Sequence, residues 1–191
     1  VFAPKKDKKS KKKKKIDIAL ENIIVSNGNV KIKSHKGKTL FNGQNVNIKL
    51  TNIKQSDDAS KIPLAFEEFK IDAQNVVVTA NEFYEINAKK ISAKNKTLNI
   101  LGFHLNPIQN AKNYNAKNIF DFSADELMAK NFVISQDSLI VDQIDFVKPE
   151  LKVTSTGEKT VEKKVEKEKE MNLKIGLKNI NFNQGKILVL Q

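Results

Sequence analysis

The stretch "IDIALENIIVSNGNVKI", residues 16–32, decides the fold. Ile16, Ile18 and Leu20 alternate with Asp17, Ala19 and Glu21, the two-residue rhythm of a half-buried strand. The next position in phase is Asn22, and the apolar character moves to Ile23. The slip recurs in Ile48-Lys49-Leu50-Thr51-Asn52-Ile53, Ile71-Asp72-Ala73-Gln74-Asn75-Val76, Leu127-Met128-Ala129-Lys130-Asn131-Phe132 and Ile175-Gly176-Leu177-Lys178-Asn179-Ile180. Ile86-Asn87-Ala88-Lys89-Lys90-Ile91 follows it with lysine at the polar step. Side chains change face at every residue, so one extra residue reverses the phase. A bulge or corner restores it, and Asn suits that position because it tolerates positive φ. Six such units predict strands that bend at one shared level, giving a sheet folded like a gutter.

Turn chemistry separates the strands at short intervals. Ser26-Asn27-Gly28-Asn29 reads as a hairpin turn between Ile23–Val25 and Val30–Ile32. Lys36-Gly37-Lys38, Asn42-Gly43-Gln44 and Lys94-Asn95-Lys96 read the same way. The best helical candidate, "ADELMAK" at 124–130, carries the strand unit instead. The fold class is therefore all-β, an antiparallel meander with little helix.

A longer period overlies the fine one. Residues 16–32 align without a gap on "LKIGLKNINFNQGKILV" at 173–189, with Ile18 matching Ile175, Leu20 Leu177, Asn22 Asn179, Ile23 Ile180 and Gly28 Gly185. Each pair lies 157 residues apart, for example 175 − 18. Such periodicity marks a repeat array. The expected organisation is a Lys-rich solvated loop at 1–15, one repeat at 16–156, a Lys/Glu loop at 157–170 and the start of the next repeat at 171–191. A chain that begins at Val1 and ends on "KILVLQ" is expected to be a segment of a longer one. No run reaches the roughly 18 apolar residues of a membrane helix.

The 191 residues carry a net charge of +12, and every basic residue is lysine. The absence of arginine weakens a nucleic-acid role, since bidentate reading of phosphate and guanine is chiefly arginine chemistry. Aromatic residues make up 7% with no Trp, too few for a base-stacking platform. "KKDKKSKKKKK" at 5–15 could meet anionic headgroups. The equivalent place before the second copy holds "GEKTVEKKVEKEKE" at 157–170, with five Lys and five Glu. Loops that agree in hydrophilicity but not in sign read as solvated excursions.

No catalytic constellation appears, and the expectation is a protein that is not an enzyme and takes no cofactor or metal. Gly37-Lys38-Thr39 resembles the end of a phosphate loop, but Ile32 stands where that loop needs glycine. His35 falls in a turn. His104 alternates with Phe103 and Leu105, which points to a strand-edge role. Glu67-Glu68 and Asp57-Asp58 are adjacent pairs whose side chains would point to opposite faces, not a convergent acid and base. With no cysteine there are no disulfides, thiolate metal sites or thiol nucleophiles.

What remains is the apolar face. The inward set is Ile16, Ile18, Leu20, Val30, Ile32, Val46, Ile48, Leu50, Phe69, Ile71, Ala73, Tyr84, Ile86, Ala88, Leu98, Ile100, Phe120, Phe122, Leu127 and Ala129. Sheltering each Leu-sized side chain stabilises by about 1.5–3 kcal/mol, so such a face does not stay wet. It either packs on itself as a dry sandwich or barrel, a structural or adhesive scaffold, or forms a trough covered by lipid acyl chains. All of this set except Ile16 are the candidate lipid-binding residues.

"NEFYEINAKKISAKNKTLNILGFHLNP" and "NAKNYNAKNIFDFSADELMAKNFVISQDSLIVDQIDFVKPELKV" resemble the repeat unit of long AsmA-like proteins of Bacteroidota, in the TamB/AsmA group of relatives of bridge-like lipid transfer proteins. The resemblance lies in strand rhythm and turn placement over most of the chain. It implies a repeating β-groove, a periplasmic location with an inner-membrane anchor helix elsewhere, and passage of phospholipid toward the outer membrane in its biogenesis. The implied partners are phospholipid, envelope membrane proteins and neighbouring repeats of the same chain, with no nucleic acid.

Overall fold

The computed structural model describes residues 19–55, 64–108, 117–134, 138–155 and 174–190. Every regular element among them is a strand: β1 (Ala19–Lys33), β2 (Thr39–Gln55), β3 (Leu64–Ala65), β4 (Glu68–Thr79), β5 (Tyr84–Lys94), β6 (Thr97–Pro107), β7 (Asn118–Ile134), β8 (Ser138–Val147), β9 (Glu150–Ser155), β10 (Lys174–Asn183) and β11 (Lys186–Leu190). The lysine run at 5–15, the Lys/Glu run at 157–170, Asp57-Asp58, Ile16 and Ile18 lie outside the described residues.

All eleven strands form one sheet, in the order β1-β2-β4-β5-β6-β7-β8-β10, with β3 on β2, β9 on β7 and β11 on β9. Neighbours from β1 to β8 are antiparallel, as the alternating pattern predicts. The meander ends there: β10 pairs with β8, and β11 with β9, in parallel. A parallel pair needs a connection of a dozen or more residues, and residues 156–173 separate β9 from β10 in the chain.

Two turn expectations hold. Gly37 (φ 80°) turns the chain between β1 and β2, where the Gly37 N–H donates to the Ser34 carbonyl at 2.9 Å. Asn95 (φ 49°) turns it between β5 and β6. Two others are corrected. β1 runs unbroken through Asn27-Gly28, and β2 runs unbroken through Asn42-Gly43-Gln44. Asn27 does adopt a positive φ (53°), but within a strand. Tight turns and in-strand creases both need left-handed residues, so Asn-Gly serves either.

The creases are shared between strands, and they lie at two levels, not one. On the first level, Asn27, Asn45 (φ 47°), Asn75 (φ 47°) and Gly102 (φ 62°) crease β1, β2, β4 and β6 without ending them. Lys148 (φ 47°) and Gln184 (φ 58°) break β8 from β9 and β10 from β11. In β4–β5 and β6–β7 the pairs flanking this line step three residues on both strands: Ala73↔Ile91 then Val76↔Ala88, and Ile100↔Leu127 then Phe103↔Ala124. By contrast, β1–β2 and β2–β4 shift register around Asn27 and Asn45 and then recover it. On the second level stand Asn52 (φ 50°) and Asn131 (φ 53°). There, Phe132↔Val141 follows Ala129↔Ile144, again three residues on each side. The units ending at Asn75 and Lys90 lie on the first level, and those at Asn22, Asn52, Asn131 and Asn179 on the second. The expected left-handed residue is present only at Asn52, Asn75 and Asn131 and is absent at Asn22, Lys90 and Asn179. Partner strands slip together, so register survives while the apolar phase advances by one.

No second layer packs over this sheet among the described residues. Eight buried side chains nevertheless form one cluster, Val46, Ala73, Val76, Ala88, Ile100, Leu127, Ala129 and Val141, while Ile53, Ile119 and Ala124 are buried outside it. Val76 is only 1% exposed.

Candidate functional site: an apolar sheet face

Cross-strand partners share a face, so the register lists which side chains stand together. One row reads Val25–Ile48–Ile71–Ala93–Leu98–Ala129–Ile144–Ile180, from β1 to β10. A second reads Ile32–Phe41–Val78–Ile86–Leu105–Phe122–Leu151–Ile187, from β1 to β11. Neither holds a polar residue. Between them runs Ala73–Ile91–Ile100–Leu127–Phe146–Phe182.

The rows belong to one face across the first crease. Ala73 and Val76, on either side of Asn75, lie in the same buried cluster, with Ile48, Leu98, Phe41 and Val78 packed against it. Phenylalanines stitch the rows together. The ring centroids of Phe122 and Phe146 are 5.2 Å apart edge-to-face, and Phe146 stacks on Phe182 at 5.3 Å. Such pairs add about 0.5–1.5 kcal/mol beyond area burial.

The candidate residues fall into these rows as follows. Ile48, Ile71, Leu98 and Ala129 share the first row, and Ile32, Ile86 and Phe122 the second. Ala73, Ile100 and Leu127 lie between, and Val46 belongs to the same cluster. Ala88 pairs with Val76, Val30 with Gly43, and Leu50 with Phe69. Leu20 stands beyond the second crease opposite Ile53, Tyr84 opposite Pro107 and Phe120 opposite Val153. Val46, Ala73, Ala88, Ile100, Leu127 and Ala129 are buried by their neighbours and form the floor of the face, whereas Leu20, Ile32 and Phe120 are exposed. Sequence reading missed Phe41, Val76, Val78, Ile91, Phe103, Leu105, Ile144, Phe146 and Leu151. Those on β4, β5 and β6 lie just past a crease, where resuming the two-residue count after the slip finds them.

The opposite face is polar. Asp72, Ser92, Asn99, Met128, Asp145 and Asn181 form one of its rows. Burial opposes ionisation of Asp72, but the hydrogen bond from Ser92 (2.8 Å) and the Lys70 ammonium (3.2 Å) outweigh it and hold the carboxyl below the usual range. Asp145 is also held low, first by the Asn181 amide (2.6 Å), then by Gln143, with Lys130 at 3.3 Å adding charge against the opposing effect of burial. A depression of about 340 Å³ is lined by Lys70, Asp72, Ser92, Lys94, Thr97, Asn99, Met128 and Lys130 of this face together with Ala93, Leu98 and Ala129 of the first apolar row. His104 is corrected from a strand edge to mid-sheet: β6 has neighbours on both sides, and the imidazole Nε2 meets Asp121 Oδ1 at 2.7 Å. His35 sits in the β1–β2 turn and is exposed.

No family model matches this chain, and neither the curated proteins nor the solved structures give a match.

Proposed function

We propose that the apolar face binds the acyl chains of lipid, and that the chain is a groove-forming segment of an envelope lipid-transfer protein. The observation that carries this reading is the pair of uninterrupted apolar rows on a single-layer sheet, with no lid among the described residues. Each row crosses eight strands, roughly 34 Å at about 4.8 Å per step. An acyl chain, half of a roughly 30 Å hydrocarbon core, fits along less than one row. Each buried CH₂ contributes about 0.8 kcal/mol. Headgroups would stay in water, and discrimination between lipids would be weak, because hydrophobic burial recognises chains and not chemistry. Curvature of the sheet around the floor residues would turn the face into the groove that the sequence pattern leads us to expect. Periplasmic placement, an anchor elsewhere, phospholipid passage to the outer membrane and contacts with envelope proteins rest on the AsmA/TamB resemblance.

Native mass spectrometry of the chain purified from a bacterial envelope fraction tests the reading. Ile71→Asp and Ile86→Asp, each in the middle of one row, should lose bound lipid while far-UV circular dichroism stays β-rich. Lipid recovery from both variants equal to that from the unsubstituted chain refutes it.

One observation favours a second reading, a scaffold with a dry core. The floor of the face is already sealed by its own neighbours, with Ala73 and Val46 each 4% exposed. A scaffold would carry no lipid in the same measurement.

A further inference from the structure

β1 and β10–β11 are two copies of one strand, and each leaves a different edge open. The 157-residue offset that aligns their sequences also aligns their backbones. Asn27 (φ 53°) and Gln184 (φ 58°) are counterparts, both left-handed, and Gly28 and Gly185 follow them. Six antiparallel steps lead from β1 to β8, and β10 lies parallel to β8, so both copies point the same way in the sheet. Among the described residues, β1 pairs with β2 alone, while β10–β11 pairs with β8–β9 alone. The first copy displays what fits one edge of this strand, and the second displays what fits the other.

We infer that the strand is a seam with two partners, and that a further copy of this unit docks on the open edge of β10–β11 through its β2-like strand, antiparallel. The β1–β2 pairing supplies the register. Val25 faces Ile48 and Ile23 faces Leu50. In the seam, Phe182 therefore faces the added copy's Ile48 position, and Ile180 its Leu50 position. By the same logic, the open edge of β1 takes a β8–β9-like strand in parallel.

The apolar rows pass a check that they could have failed. The row beginning at Val25 ends on Ile180, the counterpart of Ile23, and the row beginning at Ile32 ends on Ile187, the counterpart of Val30. Both are displaced by two residues per unit. An even displacement keeps every side chain on its face, whereas a displacement of one would put the apolar rows of the next copy on the polar side. The edges also carry the wet apolar surface expected of an unfinished sheet: Ile187 is 72% exposed, Val189 61% and Ile24 65%. A long, flat apolar edge is a template for another strand. Repeating by translation in one direction makes the contact head-to-tail and open-ended.

This inference does not depend on lipid, so either can fail alone. The chain has no cysteine, which makes engineered thiols unambiguous. A peptide of residues 39–55 carrying Ile48→Cys is mixed with the 191-residue chain carrying Phe182→Cys in glutathione redox buffer. A second peptide carries Asn47→Cys, which places the thiol on the opposite face. The in-register peptide should form the mixed disulfide with at least about tenfold higher effective concentration than the second. The unmodified peptide should also slow amide exchange in residues 174–190 of the natural chain, and a shuffled peptide should not. Equal disulfide yields from the two peptides overturn the inference, and so does exchange protection that is absent from β10–β11 or equal with the shuffled peptide.

Discussion

Substitutions at Asn75 separate a built crease from an incidental kink. Asn75 is exposed, holds φ at 47° and donates from Nδ2 to Gln44 Oε1 at 2.8 Å. Asn75→Gly keeps the left-handed backbone free of penalty and loses an exposed hydrogen bond, a change within about 0.5 kcal/mol. Asn75→Val loses the same bond and forces a β-branched residue into the left-handed region, which costs a further 1–2 kcal/mol or so. Valine should therefore be the less stable variant by about 1.5 kcal/mol, although it is the better strand former and glycine the worse. At Lys49, an exposed strand position with ordinary φ, the order should reverse, with glycine the weaker by about 0.5–1 kcal/mol. Urea unfolding followed by circular dichroism reads both pairs as midpoint shifts at constant slope. If Asn75→Val matches or exceeds Asn75→Gly, the crease is not set by that residue and the reasoning fails.

Three more outcomes follow from the same geometry. Gly102→Ala should destabilise by about 1–2 kcal/mol, because φ is 62° and the new Cβ would lie 2.8 Å from Lys89 Cγ and Cδ; adding Lys89→Ala should recover only the part due to contact, as read by the same titration. Val76→Ala should lose about 2 kcal/mol, since two methyl groups leave a site that is 1% exposed. Asp145 has its folded pKa below its unfolded value of about 3.9, so its contribution is full above that pH and is lost as pH falls through the lower folded value. Protection of β10 amides, corrected for the pH dependence of intrinsic exchange, should therefore fall below about pH 4, and Asp145→Asn should remove that component.

Much of the sheet is legible in the sequence because one apolar face imposes a two-residue count that a reader can follow. Asn52, Asn75 and Asn131 announce themselves by breaking it. Asn27 and Asn45 do not, because Asn27-Gly28 carries the same left-handed chemistry as a hairpin turn and Asn45 directly follows the apparent turn at Asn42-Gly43-Gln44. Lys148 and Gln184 are not residue types that advertise a positive φ, so the break between β8 and β9 and that between β10 and β11 were out of reach. The sequence does not separate the two crease levels, because the spacing between units along the chain does not fix which rung each joins. That is decided by pairing, which depends on partners far away in sequence. The parallel seating of β10–β11 is hidden for the same reason.

The central claim is that the apolar face, and not the polar one, is where an acyl chain lies. A phosphatidylcholine carrying a diazirine in its acyl chain, photolysed with the purified chain and mapped by peptide mass spectrometry, tests this directly. Adducts are expected on the apolar rows, at residues such as Ile71, Leu98, Ile86 and Leu105. Adducts spread evenly over both faces, or concentrated at Lys70, Lys94 and His104 on the opposite side, would contradict the account.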